Sequence, residues 1–195
     1  MADEPPKGRY TTSVTNEFDP YYTVLGRLAF SWSEFEFSVN QAIWELANVE
    51  CMVGTCMTSQ MIGPGPRFRC LVSLLNLRKT PTELLKAVNS LSQHADGLGR
   101  QRNRYLHDPI VLYTADKTVH RMETTADRIV KHELIPMEIP AVTKLVKEIE
   151  ELDANFEGLY MRALAETPSW PRTQYERSHG IRRHRPAPEG SPSAP

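Results

Sequence analysis

The chain has 195 residues, 23 of them basic and 24 acidic, for a formal net charge of −1. That balance excludes a polyanion binder acting through bulk charge, and the length allows one domain of about 150 residues with a real core. Three cysteines without a second pair exclude both a disulfide framework and a Cys-only zinc site, and no window approaches twenty uncharged apolar residues, so we expect a cytoplasmic protein with no membrane contact.

Residues 1–19 are polar, with Pro5, Pro6 and Gly8, and read as a flexible N-terminal arm. A domain over 20–166 follows. After Pro20, the residues Leu25, Leu28, Trp32, Phe35, Val39, Ala42 and Leu46 recur by threes and fours, which predicts a long amphipathic helix. Glu36 flanks that buried stripe, where it can meet a cation on a neighbouring helix. Residues 51–61 show a mixed pattern, and Cys51, Cys56 and Cys70 read as reduced, small core residues.

Gly63-Pro64-Gly65-Pro66 breaks the chain and suits the start of a helix over 67–77, with Phe68, Leu71, Val72, Leu74 and Leu75 apolar. Thr80, Pro81 and Glu83 read as N-cap, first helical residue and acidic third residue of the next helix. Its seam runs through Leu84, Val88, Leu91, Ala95 and Leu98, and the next seam positions are Arg102 and Tyr105. A charge thus falls where packing expects a hydrophobe. Pro109 removes a backbone donor and pushes Asp108 out of helical angles, so the helix should end close to His107. There the negative end of the helix dipole favours an imidazolium.

Beyond Pro109 the period changes. Residues 110–113 and 118–124 predict a small β-hairpin, with a third β-like stretch at 130–135. Pro140 opens a last helix whose seam is Val142, Leu145, Ile149, Leu152, Phe156, Leu159 and Ala163, ending before Pro168. The fold class is therefore all-α: an antiparallel bundle of about four to five helices with a small β-hairpin insertion after the motif helix. Residues 167–195 form a Pro/Arg-rich tail, expected to be disordered, with five arginines against two glutamates. That balance of +3 leaves −4 for the rest of the chain.

Arginine and histidine together can cleave an RNA phosphodiester without metal. The guanidinium binds the phosphate and stabilises the charge added in the transition state. The imidazole takes the proton of the 2′-hydroxyl or gives one to the leaving oxygen. One imidazole does not readily do both, so a two-fold dimer would complete the site. Five residues carry His107 about 140° around a regular helix from Arg102, so the pair converges only if the helix end unwinds. No paired ligand spacing indicates a metal and no glycine-rich phosphate loop occurs, so no cofactor is expected.

Arg102, four residues, then His107, with Asn103 directly after the arginine, resembles the motif of the HEPN domain (higher eukaryotes and prokaryotes nucleotide-binding). Trp32 and Glu36 on the first helix and the β insertion after the histidine are similar to small bacterial HEPN-like proteins. The resemblance implies an all-α bundle and a metal-independent endoribonuclease, a toxin or defence component, active as a homodimer on RNA. It also implies a possible antitoxin or nucleotidyltransferase-type partner. Arg102 is then the phosphate-binding arginine, Asn103 the residue that orients it, and His107 the acid or base. Arg100, Arg104 and Glu36 are candidate substrate-binding residues. The alternative is a non-catalytic HEPN-like interaction or nucleotide-binding module, in which Arg102 pairs with Glu36, Asn103 caps the helix end and His107 bonds an orphan carbonyl.

Overall fold

The structure is a computed structural model and describes residues 10–13, 15–127 and 129–167. Five α-helices occur among them: α1 (Asp19–Ala47), α2 (Cys51–Thr58), α3 (Pro64–Leu77), α4 (Thr82–His107) and α5 (Ile139–Glu166). Helix α5 packs against α1 and α4, and α3 closes the other side of the same pair, while α1 and α4 touch each other little. The helical bundle is as expected.

The three long seams fill its core. Leu28, Trp32, Phe35, Val39, Ala42 and Leu46 of α1 are buried, as are Leu84, Val88, Ala95 and Leu98 of α4, and Val142, Leu145, Ile149, Leu152, Phe156 and Ala163 of α5. Phe35 lies 6.1 Å from Phe68 and 6.2 Å from Phe156 between ring centroids, and Trp32 lies 5.5 Å from Phe35. Each large side chain buried here contributes roughly 1.5–3 kcal/mol. At the end of α1, Asn48 adopts a left-handed conformation (φ 56°), which suits its short polar side chain.

The insertion is larger than a hairpin. Strands β1 (Tyr10–Thr11), β2 (Ile110–Tyr113), β3 (Thr118–Asp127) and β4 (Ile129–Pro136) form one antiparallel sheet in the order β1-β2-β3-β4. Strand β2 pairs with the first four residues of β3, Ile110 facing Arg121 and Tyr113 facing Thr118, while β4 continues alongside β3 as far as Ile129 opposite Asp127. The arm expected over residues 1–19 is therefore part of the fold from Tyr10 on. Tyr10 and Thr11 pair with Tyr113 and Leu112, a 3₁₀ turn spans Asn16–Phe18, and Phe18 is buried. The tail expected over 167–195 lies outside the described residues except for Thr167.

Two local expectations are corrected. Thr80 does not cap α4: its hydroxyl is buried against that of Thr167 at 3.0 Å, and Pro81 occupies the N-cap position. Nor are the cysteines all core residues, because Cys56 is exposed and Cys51 and Cys70 are half-buried, although all three are free thiols. Burial pushes the Cys70 thiol pKa up, which suppresses its thiolate. Among the described residues no helix is long and apolar enough to cross a membrane.

Candidate functional site

Helix α4 stays regular to His107, and Asp108 turns extended (φ −69°, ψ 139°) ahead of Pro109. The unwinding expected at this end does not occur. Arg102, Asn103 and His107 nevertheless border one cavity of about 330 Å³, formed by α1, α4 and the start of α3. It opens where α1 and α4 stand apart. Trp32 and Glu36 line it from α1, Ile62, Gly63 and Pro64 from the loop into α3, and Asp96, Gly99 and Arg100 from α4.

Small residues shape this gap. A Cβ on Gly99 would lie 3.0 Å from the Trp32 ring and 3.7 Å from Pro64, so the glycine lets the indole close against α4. The Arg102 guanidinium then sits over the indole, 6.0 Å from a ring centroid. Its Nη1 donates to Asn103 Oδ1 at 2.9 Å, and its buried Nε has no hydrogen-bond partner among the described residues. Arg102 also makes no ion pair with a described residue.

The cross-bundle pair between Arg102 and Glu36 is not formed. Glu36 instead accepts from Arg67 Nη1 at 3.3 Å, and Arg67 also donates to Asn40 Oδ1 at 3.0 Å and to the Gly63 carbonyl at 2.8 Å. The charge that fixes α1 against its neighbour thus comes from α3. A guanidinium in a cavity wall that makes no ion pair with a carboxylate is a ready anion site, because its five donors match phosphate oxygens. His107 and Arg100 are exposed beside it.

Arg104 is elsewhere. It reaches Asp108 at 3.5 Å and Glu123 at 3.4 Å, and Arg121 binds the same two carboxylates at 2.9 and 2.8 Å. Arg121 lies over the Tyr105 ring at 5.5 Å. This four-charge cluster ties the end of the motif helix to β3, and it leaves Arg104 outside the cavity lining.

No family model, curated protein or solved structure matches this chain. The site therefore rests on its own geometry. A second hollow of about 520 Å³ is lined by Tyr22, Gly26, Arg27, Phe30 and Ser31 of α1 with Glu150 of α5, but there Ser31 already donates to Glu150 at 3.4 Å and no nucleophile–base pair is present. The smaller cavity is the one that Arg102, Asn103 and His107 line.

Sequence reasoning passed over Arg67, Asp96 and Gly99. The signal for Asp96 was available in the α4 face itself. Asp96, Arg100, Asn103 and His107 follow by steps of four, three and four, which places them in one line along the helix.

Proposed function

We propose that this chain is a metal-independent endoribonuclease of the HEPN type, a toxin or defence component that acts in the cytoplasm as a homodimer. One observation carries the reading: an arginine without a carboxylate partner shares a cavity with Asn103 and His107. Asn103 holds the guanidinium by its side-chain oxygen. Arg102 binds a non-bridging phosphate oxygen and stabilises the charge that builds on phosphorus. His107 takes the proton of the 2′-hydroxyl, whose oxygen attacks phosphorus as the bond to the 5′-oxygen breaks. The His107 of the second copy supplies that oxygen with a proton. The products are a 2′,3′-cyclic phosphate and a 5′-hydroxyl. Arg100, exposed at the rim, meets a flanking phosphate. An antitoxin or nucleotidyltransferase-type partner would hold such an activity in check.

The test is cleavage of labelled total and transfer RNA in EDTA by wild type, Arg102→Ala and His107→Ala. Wild type should cut and leave cyclic ends, and neither variant should. Because Arg102 makes no ion pair with a described residue, its alanine variant should melt within about 5 °C of wild type, losing the contact with Trp32, roughly 0.5–1 kcal/mol, and one exposed hydrogen bond to Asn103. If no protein cuts and both variants unfold early, the non-catalytic module replaces this reading.

A further inference from the structure

The cavity is longer than the arginine and histidine require. Its α4 wall runs from Asp96 to His107, eleven steps of unbroken helix, or about 16 Å along the axis. Arg102 stands six residues from Asp96, about 9 Å along the helix. That separation is on the scale of one nucleotide measured from phosphate to base edge, and about 330 Å³ is at the small-ligand end of binding-pocket sizes.

Asp96 is the one carboxylate of the lining without a partner. Glu36 is committed to Arg67, whereas Asp96 makes no hydrogen bond or ion pair with any described residue. It lies beside the start of α3, where a Cβ on Gly65 would stand 3.6 Å from its Oδ1 and 3.4 Å from Arg69 Nη1, yet it bonds neither that helix end nor Arg69. Besides that carboxylate and the Arg102 guanidinium, the lining offers the Trp32 ring, Gly99, Pro64 and the almost fully exposed Ile62, with the exposed Arg100 on the same helix. One end thus suits an anion, the middle a flat apolar ring and the far end a group that donates hydrogen bonds.

A carboxylate has two acceptors and no donor. Guanine presents two adjacent donors on its Watson–Crick edge, N1–H and the exocyclic N2 amine. Adenine and cytosine place a ring acceptor beside their amine, and uracil places carbonyls on either side of its one N–H. Only guanine satisfies both carboxylate oxygens without setting an acceptor against an acceptor. Unpaired bases are read in this way in single-stranded RNA.

Resting on the ribonuclease reading above, we infer that the cavity holds the nucleotide whose 2′-hydroxyl attacks, and that Asp96 selects guanine there. The enzyme then cuts on the 3′ side of unpaired guanosines. Arg102 takes the 3′-phosphate, and the base lies along Pro64 and Ile62 with its edge on Asp96.

Nucleoside 3′-monophosphates titrated into the full chain by calorimetry test this without requiring turnover. Wild type should bind 3′-GMP about ten- to a hundredfold tighter than 3′-AMP, 3′-CMP or 3′-UMP, the discrimination of one good bidentate contact. Asp96→Asn keeps the shape but exchanges one acceptor for a donor. It should reduce the preference to within about threefold, leave the affinity for the other three unchanged and melt like wild type. Equal affinity for all four nucleotides, a guanine preference that survives in Asp96→Asn, or no binding by any nucleotide overturns the inference. Failure of the ribonuclease reading is seen separately: RNA left intact in EDTA, with the guanine preference and its loss in Asp96→Asn still present, supports the base site while removing the catalysis.

Discussion

Replacing Arg121 by methionine should loosen the joint that holds the end of α4. The side chain is 13% exposed and bridges Asp108 at 2.9 Å and Glu123 at 2.8 Å, themselves 13% and 22% exposed. Breaking a fully buried ion pair by removing one partner costs about 3–5 kcal/mol, and an exposed pair about 0–1. The exposures lie toward the buried limit, but Arg104 remains at 3.4–3.5 Å to share both carboxylates and is itself 40% exposed. The net loss should be about 2–3 kcal/mol, including the contact with Tyr105, while methionine preserves the packing of the stem. For a domain of this size that is roughly 5–10 °C in Tm. Circular-dichroism melts at pH 7 measure it, and a double-mutant cycle with Asp108→Asn should give a coupling of at least about 1 kcal/mol. A variant melting within 1 °C of wild type, or strictly additive single effects, would refute the cluster as an energetic joint.

Three further outcomes follow from other contacts. Arg67→Met should cost about 2–4 kcal/mol in a urea titration, because it strands Glu36, Asn40 and the Gly63 carbonyl together. Gly54→Ala should destabilise by at least about 1–3 kcal/mol in the same assay: the added Cβ falls within 2.4 Å of the buried Trp44 ring, whose N–H is tied to Thr58 at 3.1 Å. Lys117, with help from the Glu17 backbone amide and Thr15, holds the Glu17 carboxyl down at about 2, against an ordinary 4.5. A depressed folded-state pKa stabilises above the unfolded value and loses its effect as pH falls through the folded one. The Tm difference between wild type and Glu17→Gln should therefore be constant above pH 5 and vanish near pH 2, and a difference that grows on acidification would contradict the contact.

The long elements were legible because their seams are long. Twenty or more residues of unbroken three–four spacing leave no other way to bury Leu28, Leu84 or Ile149, and Pro109 marks where α4 ends, close to His107. Short elements offered no such signal. Strand β1 has two residues and exists only because β2 presents an edge, and α2 is held chiefly by Gly54 packed beneath Trp44, a contact without period. Thr80 was misread as a cap because the same hydroxyl that can bond a backbone amide can equally pair with Thr167 across the fold.

At the site, position was readable and partnership was not. The spacing put Glu36 beside the buried stripe, but whether Arg102 or Arg67 would reach it depended on how far α1 stands from α4. The same separation lets Arg102 and His107 share a cavity without any unwinding of the helix. The long guanidinium side chain, steadied by Asn103, covers the angular distance that the backbone does not.

The sheet's outer side raises a matter of self-association. Among the described residues strand β4 pairs with β3 only, which leaves one of its edges unpaired by them over the eight residues Ile129–Pro136, long enough to template a strand from another chain. Lys131, His132 and Glu133 are exposed along it, and Pro136 ends it without a backbone donor. A copy adding in parallel register would stack like charges and forgo the last hydrogen bond, which discourages ribbon-like polymerisation in that register. Neutralising Lys131 and Glu133 together would remove that guard, so concentrated stocks of such a variant should scatter light while dilute ones fold normally.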